Sequence, residues 1–305
     1  GKVQDASSDV RRVTVRVLGD LGEVKASSAL LLALRDKVQA VQVEAIESLG
    51  RLRAADATSA LAPLALDRTN VRLRAAAVQS LGRIGTEAAL DALMACLEGD
   101  DLAAERSPVR EAVVRIGDAA VPRLAAALQS SSSRETASAA ALILGELRRT
   151  QHARAIVDAM QRGQIPAAIG LRALALLGDR TALPAVLELL ESPSAAVRRS
   201  AIDAASELLD PAEPEGTAVD PIAMQLVAPR LTPAESVALC GLLGRTGSPR
   251  AAAVLMSLAA AKDRTVRLSA IRALGDVGAA GQETLLLERL TDGDPEVRLQ
   301  ASMSL

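Results

Sequence analysis

The dipeptide Leu-Gly, or a close variant, returns along this chain at a nearly constant interval. It stands at Leu18-Gly19, Leu49-Gly50, Leu81-Gly82, Ile116-Gly117, Leu144-Gly145, Leu177-Gly178, Leu243-Gly244 and Leu274-Gly275. Successive glycines lie 31, 32, 35, 28, 33, 66 and 31 residues apart, and the 66 is two periods with Leu208-Leu209 at the missing position. A repeat of this length means one supersecondary unit stacked many times, which settles the fold class before any site is considered.

The unit is legible in Asp263–Asp292. Val266, Ala270, Ile271 and Leu274 form one apolar stripe at helical spacing. Asp263 supplies a helix cap, and Gly275 and Gly278 are read as the stop. Leu286, Leu287 and Leu290 stripe a second helix over Thr284–Leu290. The same grammar recurs, with first helices expected to begin near Asp9, Lys37, Thr69, Ser107, Ser133, Gln164, Ser194, Thr232, Asp263 and Asp294. One such pair cannot bury its apolar face alone, so neighbours must share a core. The expectation is an all-α solenoid of about nine and a half antiparallel helix pairs. It is read as a single domain over 1–305, and as a piece of a longer chain because Leu305 falls in mid-repeat.

Asp294-Pro295-Glu296-Val297-Arg298, with the Val-Arg pairs at Val10-Arg11, Val71-Arg72, Val109-Arg110, Val197-Arg198 and Val266-Arg267, resembles the HEAT repeat. The resemblance is to the short bacterial kind seen in phycobilisome-lyase-type proteins, and it covers essentially the whole chain. It implies first helices on a convex side and second helices on a concave one, and it admits scaffolds, transport receptors and chromophore-lyase subunits. Fold likeness by itself supplies no site.

Composition narrows the function. Half of the residues are hydrophobic, yet the chain has no Phe, Tyr or Trp. The core must therefore be Leu, Ala, Val, Ile and Met, and no ring is present to stack a nucleobase. Net charge is −2 and the pI about 5.7, without the basic footprint of a nucleic-acid binder. Cys96 and Cys240 lie four to five repeats apart in apolar helical stretches and read as separate buried thiols. His152 is the only histidine, so no His-based metal set exists, and as a lone candidate it reads as a turn residue. There is no phosphate loop, Cys-x-x-Cys pair or Gly-x-Ser-x-Gly elbow. The sequence names no catalytic residue, metal ligand or cofactor, and the chain is read as a non-enzyme. No apolar leader or membrane-length apolar run is present, which suggests the cytoplasm.

Two stretches break the period. Residues 210–221, within the seventh repeat, form an acidic, Pro-rich insertion. Asp210, Glu213, Glu215 and Asp220 are oxygen ligands of the type a hard cation takes, but their spacing matches no ion-binding loop, and a solvated, Pro-stiffened loop is the favoured reading. The other insertion is Glu98–Arg106. The recurrent Arg of Val-Arg is read as a stacking ladder that bonds an acid or carbonyl of the next repeat.

The remaining surface is the outward side of the second helices. There the spacing places Glu98, Arg123, Gln129, Glu188, Glu191, Met256 and Glu288, a mildly acidic, Ala-rich groove suited to a helix or peptide. The leading expectation is a scaffold or adaptor binding a protein partner along the concave face. A bilin-lyase-like subunit is the alternative, and nucleic-acid binding through an arginine-lined face a weaker one.

Overall fold

The computed structural model describes residues 2–99, 107–227, 231–278 and 281–305. Every α-helix belongs to one antiparallel repeat. In the N-terminal unit these are α1 (Ser8–Asp20), α2 (Ser27–Ala33), α3 (Gln39–Arg51), α4 (Thr58–Leu66), α5 (Val71–Ile84), α6 (Glu87–Cys96), α7 (Pro108–Ile116), α8 (Val121–Ser130) and α9 (Arg134–Glu146). The C-terminal unit holds α10 (Ala153–Gln161), α11 (Ala167–Leu177), α12 (Leu183–Glu188), α13 (Ala195–Leu208), α14 (Val219–Leu226) and α15 (Pro233–Arg245). It continues with α16 (Ala251–Leu258), α17 (Arg264–Val277), α18 (Glu283–Arg289) and α19 (Pro295–Ser304). The helices form nine pairs and a tenth first helix among the described residues, an α-solenoid architecture with no strand among them.

The chain divides into two compact units, Gly1–Leu147 with Arg162–Ile165, and Arg148–Gln161 with Pro166–Leu305. Two bonds attach the short 162–165 segment to the first unit. Arg134 donates to the Gly163 carbonyl at 3.0 Å, and the Gln164 amide donates to the Gln129 carbonyl at 3.0 Å.

Within each unit the first helices form a row: α1 packs on α3, α3 on α5 and α5 on α7, and likewise α11 on α13, α15 on α17 and α17 on α19. Second helices bed chiefly on the first helix of the following repeat, as α4 does on α5, α8 on α9 and α16 on α17. The core is thus shared between neighbours, the arrangement a single pair needs to hide its apolar face. Leu and Ala dominate it, with Leu30, Leu49, Leu81 and Leu142 fully buried in one unit and Leu174, Leu243, Leu255 and Leu274 in the other. Caps start the helices where the sequence places them. The Asn70 side chain accepts from Leu73 N–H, and Asp263 accepts from the N–H groups of Thr265 and Val266.

The Leu-Gly glycines behave differently from the expected helix stop. Gly275 lies inside α17, and the helix ends at Gly278 with φ 58°. The interior glycines are contact points. A Cβ placed on Gly19 would sit 2.6 Å from the Ser48 Cβ, one on Gly50 2.7 Å from the Ser80 Cβ, and one on Gly275 2.9 Å from the Ser304 Cβ. The small residue lies two positions before the next Leu-Gly glycine, in Ser48-Leu49-Gly50 and Ser80-Leu81-Gly82. Serine at that place also donates back across the interface, Ser48 to the Val15 carbonyl at 3.1 Å and Ser80 to the Ile46 carbonyl at 2.9 Å. Gly117, at φ 74°, and Gly178, at φ 72°, do end their helices as the repeat pattern predicts, Gly178 in the left-handed helical conformation.

The arginine ladder is present, with one shift of register. Arg11, Arg198, Arg267 and Arg298 each donate to two carbonyls five and six residues earlier, which ties the helix start to the preceding loop. Two also reach the next repeat: Arg11 grips Asp36 at 2.6 Å and Arg198 grips Glu235 at 2.8 Å. In the third repeat the equivalent is Arg74, which donates to the Ala65 carbonyl, whereas Arg72 of the expected Val71-Arg72 pair is exposed. The cap at Asn70 sets this register, because the ladder Arg stands four residues after the cap.

Candidate functional site

The seventh repeat lacks the glycine, and the packing beside it changes. Leu209 follows α13 with extended backbone, φ −87° and ψ 128°. Arg245 then caps the open carbonyls, donating to Ser206 at 2.7 Å and Leu209 at 2.8 Å. The 210–221 insertion leaves this point and is fastened on both sides. Arg180 of the preceding repeat pairs with the Glu213 carboxylate and donates to its carbonyl at 2.8 Å. Arg250 of the following repeat pairs with Asp220 at 2.8 Å, and Glu215 N–H donates to the Thr246 carbonyl at 2.7 Å.

These partners dissolve the cation-site alternative. Asp210 accepts from Ala212 N–H, Glu213 and Asp220 are ion-paired in different directions, and Glu215 accepts from the Thr217 hydroxyl and N–H. The same hydroxyl holds the Glu215 carboxyl below the usual range. No metal-holding cluster of His, Cys, Asp and Glu occurs among the described residues. The thiols are buried, as the sequence implies, and burial pushes Cys96 up and Cys240 up to about 12, leaving both protonated.

Between α12 and α14 the insertion frames a groove of about 530 Å³, the size of a small-ligand or peptide side-chain pocket. Both walls begin with the same local device. Asp179 accepts from Thr181 N–H, and Glu215 accepts from Thr217 N–H, so an acid-x-Thr turn opens each second helix and sets both threonines on the rim. From α12 come Leu183, Pro184, Leu187, Glu188 and, one turn on, Glu191. From α14 come Pro221, Met224 and Gln225. Polarity is inverted on α14: Gln225 is 7% exposed while Met224 is 63% exposed. Val227, just beyond, is 84% exposed.

Of the surface positions expected from sequence, Glu188 and Glu191 both line this groove, and both residues are exposed. Met256 on α16 is half-buried rather than outward, and Glu288 on α18 is exposed; neither lines the groove. In the N-terminal unit Glu98 and Gln129 are exposed. Arg123 is engaged in a bridge from α8 to α6, with Glu87 at 2.8 Å and Asp91 at 2.9 Å. Of the Glu98–Arg106 insertion, residues 100–106 lie outside the described ones. Sequence reasoning missed Met224 and Gln225. Their signal was present, since a glutamine stands where α14 needs an apolar residue after Val219 and Ile222.

The HEAT-repeat family matches residues 2–72, 27–114 and 224–305, more than half of the chain. The protein belongs to the HEAT-repeat family. No curated protein matches it by sequence. Among solved structures it is similar to Kap121p bound to Ste12p, with 12% identity, a TM-score of 0.64, and coverage of 99% of this chain and 40% of that one. Kap121p bound to Nup53p gives 13% identity, TM-score 0.63 and the same coverages. The complex of CpcE and CpcF of phycocyanin lyase from Nostoc sp. PCC7120 gives 20% identity over 100% of this chain and 92% of that one, at a TM-score of 0.30. The likeness to Kap121p is one of fold. No helix among the described residues is long and apolar enough to cross a membrane.

Proposed function

We propose that the protein is a non-enzymatic scaffold or adaptor that docks a segment of another protein in the groove between α12 and α14. The observation that carries this reading is the exposed Met224 above an apolar floor of Leu183 and Leu187. A large apolar side chain left in solvent at the mouth of a concave, rimmed site is the usual mark of a binding surface. With aromatic anchors absent from the chain, methionine is the side chain best able to adapt to a partner's shape. The similar Kap121p fold is seen bound to other proteins, Nup53p and Ste12p, which supports a repeat surface used in this way.

The test is a photo-cross-linking residue placed at Met224 of the full chain, with Ser257 on α16 as the control position, irradiated in lysate of the source cells. Discrete protein adducts at 224 and none at 257 are expected. No adduct at 224 overturns the reading.

A further inference from the structure

We propose that the edge where α3, α5 and α7 end binds an extended acidic segment of another protein, its carboxylates held by Arg53, Arg83 and Arg115. This surface belongs to the N-terminal unit and makes no use of the α12–α14 groove. Three observations carry it.

The first is a file of arginines set by the glycine contacts. Gly19 meets Ser48, Gly50 meets Ser80 and Gly82 meets Ala112, so each first helix lies on the one before it in the same register. In that register the residue after the glycine stands beside the residue three past the glycine's contact. At the α1–α3 junction these two are Asp20 and Arg51, which form an ion pair at 3.2 Å. At the next junction they are Arg51 and Arg83, and at the one after that Arg83 and Arg115. A place that holds opposite charges at the first junction holds like charges at the next two.

The second is that the outer two cations are uncommitted. Arg83 and Arg115 are exposed, and neither makes a side-chain hydrogen bond or ion pair among the described residues. Arg51 is taken by Asp20 and Glu44, and Glu87, just past the end of α5, by Arg123 of α8. The C-terminal end of a helix favours a cation, which lets the file stand without a partner. The guanidinium donors still face water, in the fork geometry that suits a carboxylate.

The third is Arg53. Three residues past Gly19, Gly82, Gly244 and Gly275 the chain turns at positive φ, and the residue there is Gly22, Gly85, Gly247 or Gly278. Past Gly50 and Gly145 it is arginine, Arg53 at φ 49° and Arg148 at φ 52°. A residue with a Cβ is disfavoured in that conformation. The Arg53 side chain is exposed and makes no bond among the described residues that would offset the strain. Strain of this kind points to a use for the side chain.

Spacing and charge set the class of partner. Packed helices lie about 8–10 Å apart. A polypeptide in polyproline II conformation brings every third side chain to one side, about 9 Å apart, so acids three residues apart meet successive arginines. A nucleic acid fits less well, because the net charge is −2 and no aromatic residue is present to stack a base.

Fluorescence anisotropy on the full chain tests the proposal with three labelled probes: a peptide of Glu-Pro-Pro repeats, its Gln-Pro-Pro counterpart, and an oligothymidylate of the same length. The Glu peptide is expected to bind and the Gln peptide to bind about tenfold more weakly or worse, with affinity for the former falling about tenfold from roughly 50 to 500 mM salt. R83Q/R115Q is expected to lose about tenfold in affinity for the Glu peptide, while R72Q, at an exposed site at the opposite end of α5, keeps it within about twofold. Arg53→Gly is expected to lose about threefold in affinity while its Tm rises, because glycine relieves the positive φ; a purely structural residue would lose Tm as well. No binding of the Glu peptide, equal binding of the Glu and Gln peptides, full affinity in R83Q/R115Q, or an equal loss in R72Q overturns the proposal. Oligothymidylate binding tighter than the Glu peptide also overturns it, in favour of a nucleic-acid partner.

Discussion

The junction between α1 and α3 and the junction between α13 and α15 do the same task with opposite means. At the first, Gly19 lets the Ser48 side chain touch the backbone, and the helices lie against each other along their length. Glu44, buried beside it, is clamped by Arg16 at 2.7 Å and Arg51 at 3.0 Å. At the second there is no glycine: Ser206 stands about twelve residues after its cap, the place that Gly19 and Gly50 hold in their helices. The approach is mediated by long side chains: Arg198 to Glu235 at 2.8 Å with both 7% exposed, and Arg245 to the carbonyls of Ser206 and Leu209. Glu235 also closes the capping box of α15, its carboxylate accepting from Thr232 N–H. Glycine contact makes a closed, repetitive joint. Arginine contact makes a wider one, and the insertion and groove occur beside the wider one.

The contrast can be broken from either side. The largest effect is expected from Arg198→Ala, which strands the buried Glu235; about 3–5 kcal/mol is lost when one partner of a buried pair is removed, read by denaturant unfolding of the C-terminal unit. Next is Gly50→Val, which drives a branched side chain into the Ser80 backbone 2.8 Å away and costs about 1–3 kcal/mol by overpacking. Gly241→Ala sharpens that result. It is in mid-helix with nothing within 4 Å of its Cβ position, so a gain of about 0.5–1 kcal/mol is expected. A lower Tm in Gly241→Ala counts against the view that close contact, and not helix propensity, explains the regular spacing of the others.

Acid should reveal the ladder in sequence. Arg264 holds the Asp294 carboxyl down to about 2, the Arg11 hydrogen bond lowers Asp36, and Thr232 N–H lowers Glu235. Each is depressed on folding, so its contribution is complete above the ordinary carboxylate range near pH 4 and is lost as pH falls through the folded value. Helical ellipticity is therefore expected to hold at pH 5 and to fall between about pH 4 and 2. Arg264→Gln is expected to move that midpoint upward. The smallest effect is that of Arg180→Ala, about 0.2–1 kcal/mol as befits an exposed pair, accompanied by faster hydrogen exchange at residues 211–216 and unchanged exchange in α1–α5.

Much of the fold was legible because caps and stripes are local. Expected starts at Asp9, Ser107, Ser194, Asp263 and Asp294 lie within a residue of α1, α7, α13, α17 and α19. The role of the glycine was not legible, because a helix stop and a close contact use the same residue and only the neighbouring repeat distinguishes them. Arg72 misled for a similar reason: Val-Arg recurred as a pair, but the cap at Asn70 fixes Arg74 as the ladder position. The groove was half visible. Glu188 and Glu191 follow from the stripe of Leu183, Val186, Leu187 and Leu190 on the opposite side of the helix. Its existence depends on the gap between two second helices, which no spacing within either one reports.

The pairing of a glycine with the small residue of the next repeat has a consequence for how such a chain grows. A segment such as 48–79 brings a serine for the neighbour before it and a glycine for the neighbour after it. Copied in tandem, it would meet its own duplicate with matching halves, so lengthening by duplication needs no repair at the seam. The seventh repeat has no such interchangeable ends and is held by arginines of its particular neighbours, so a rearrangement of gene segments there would be felt at once.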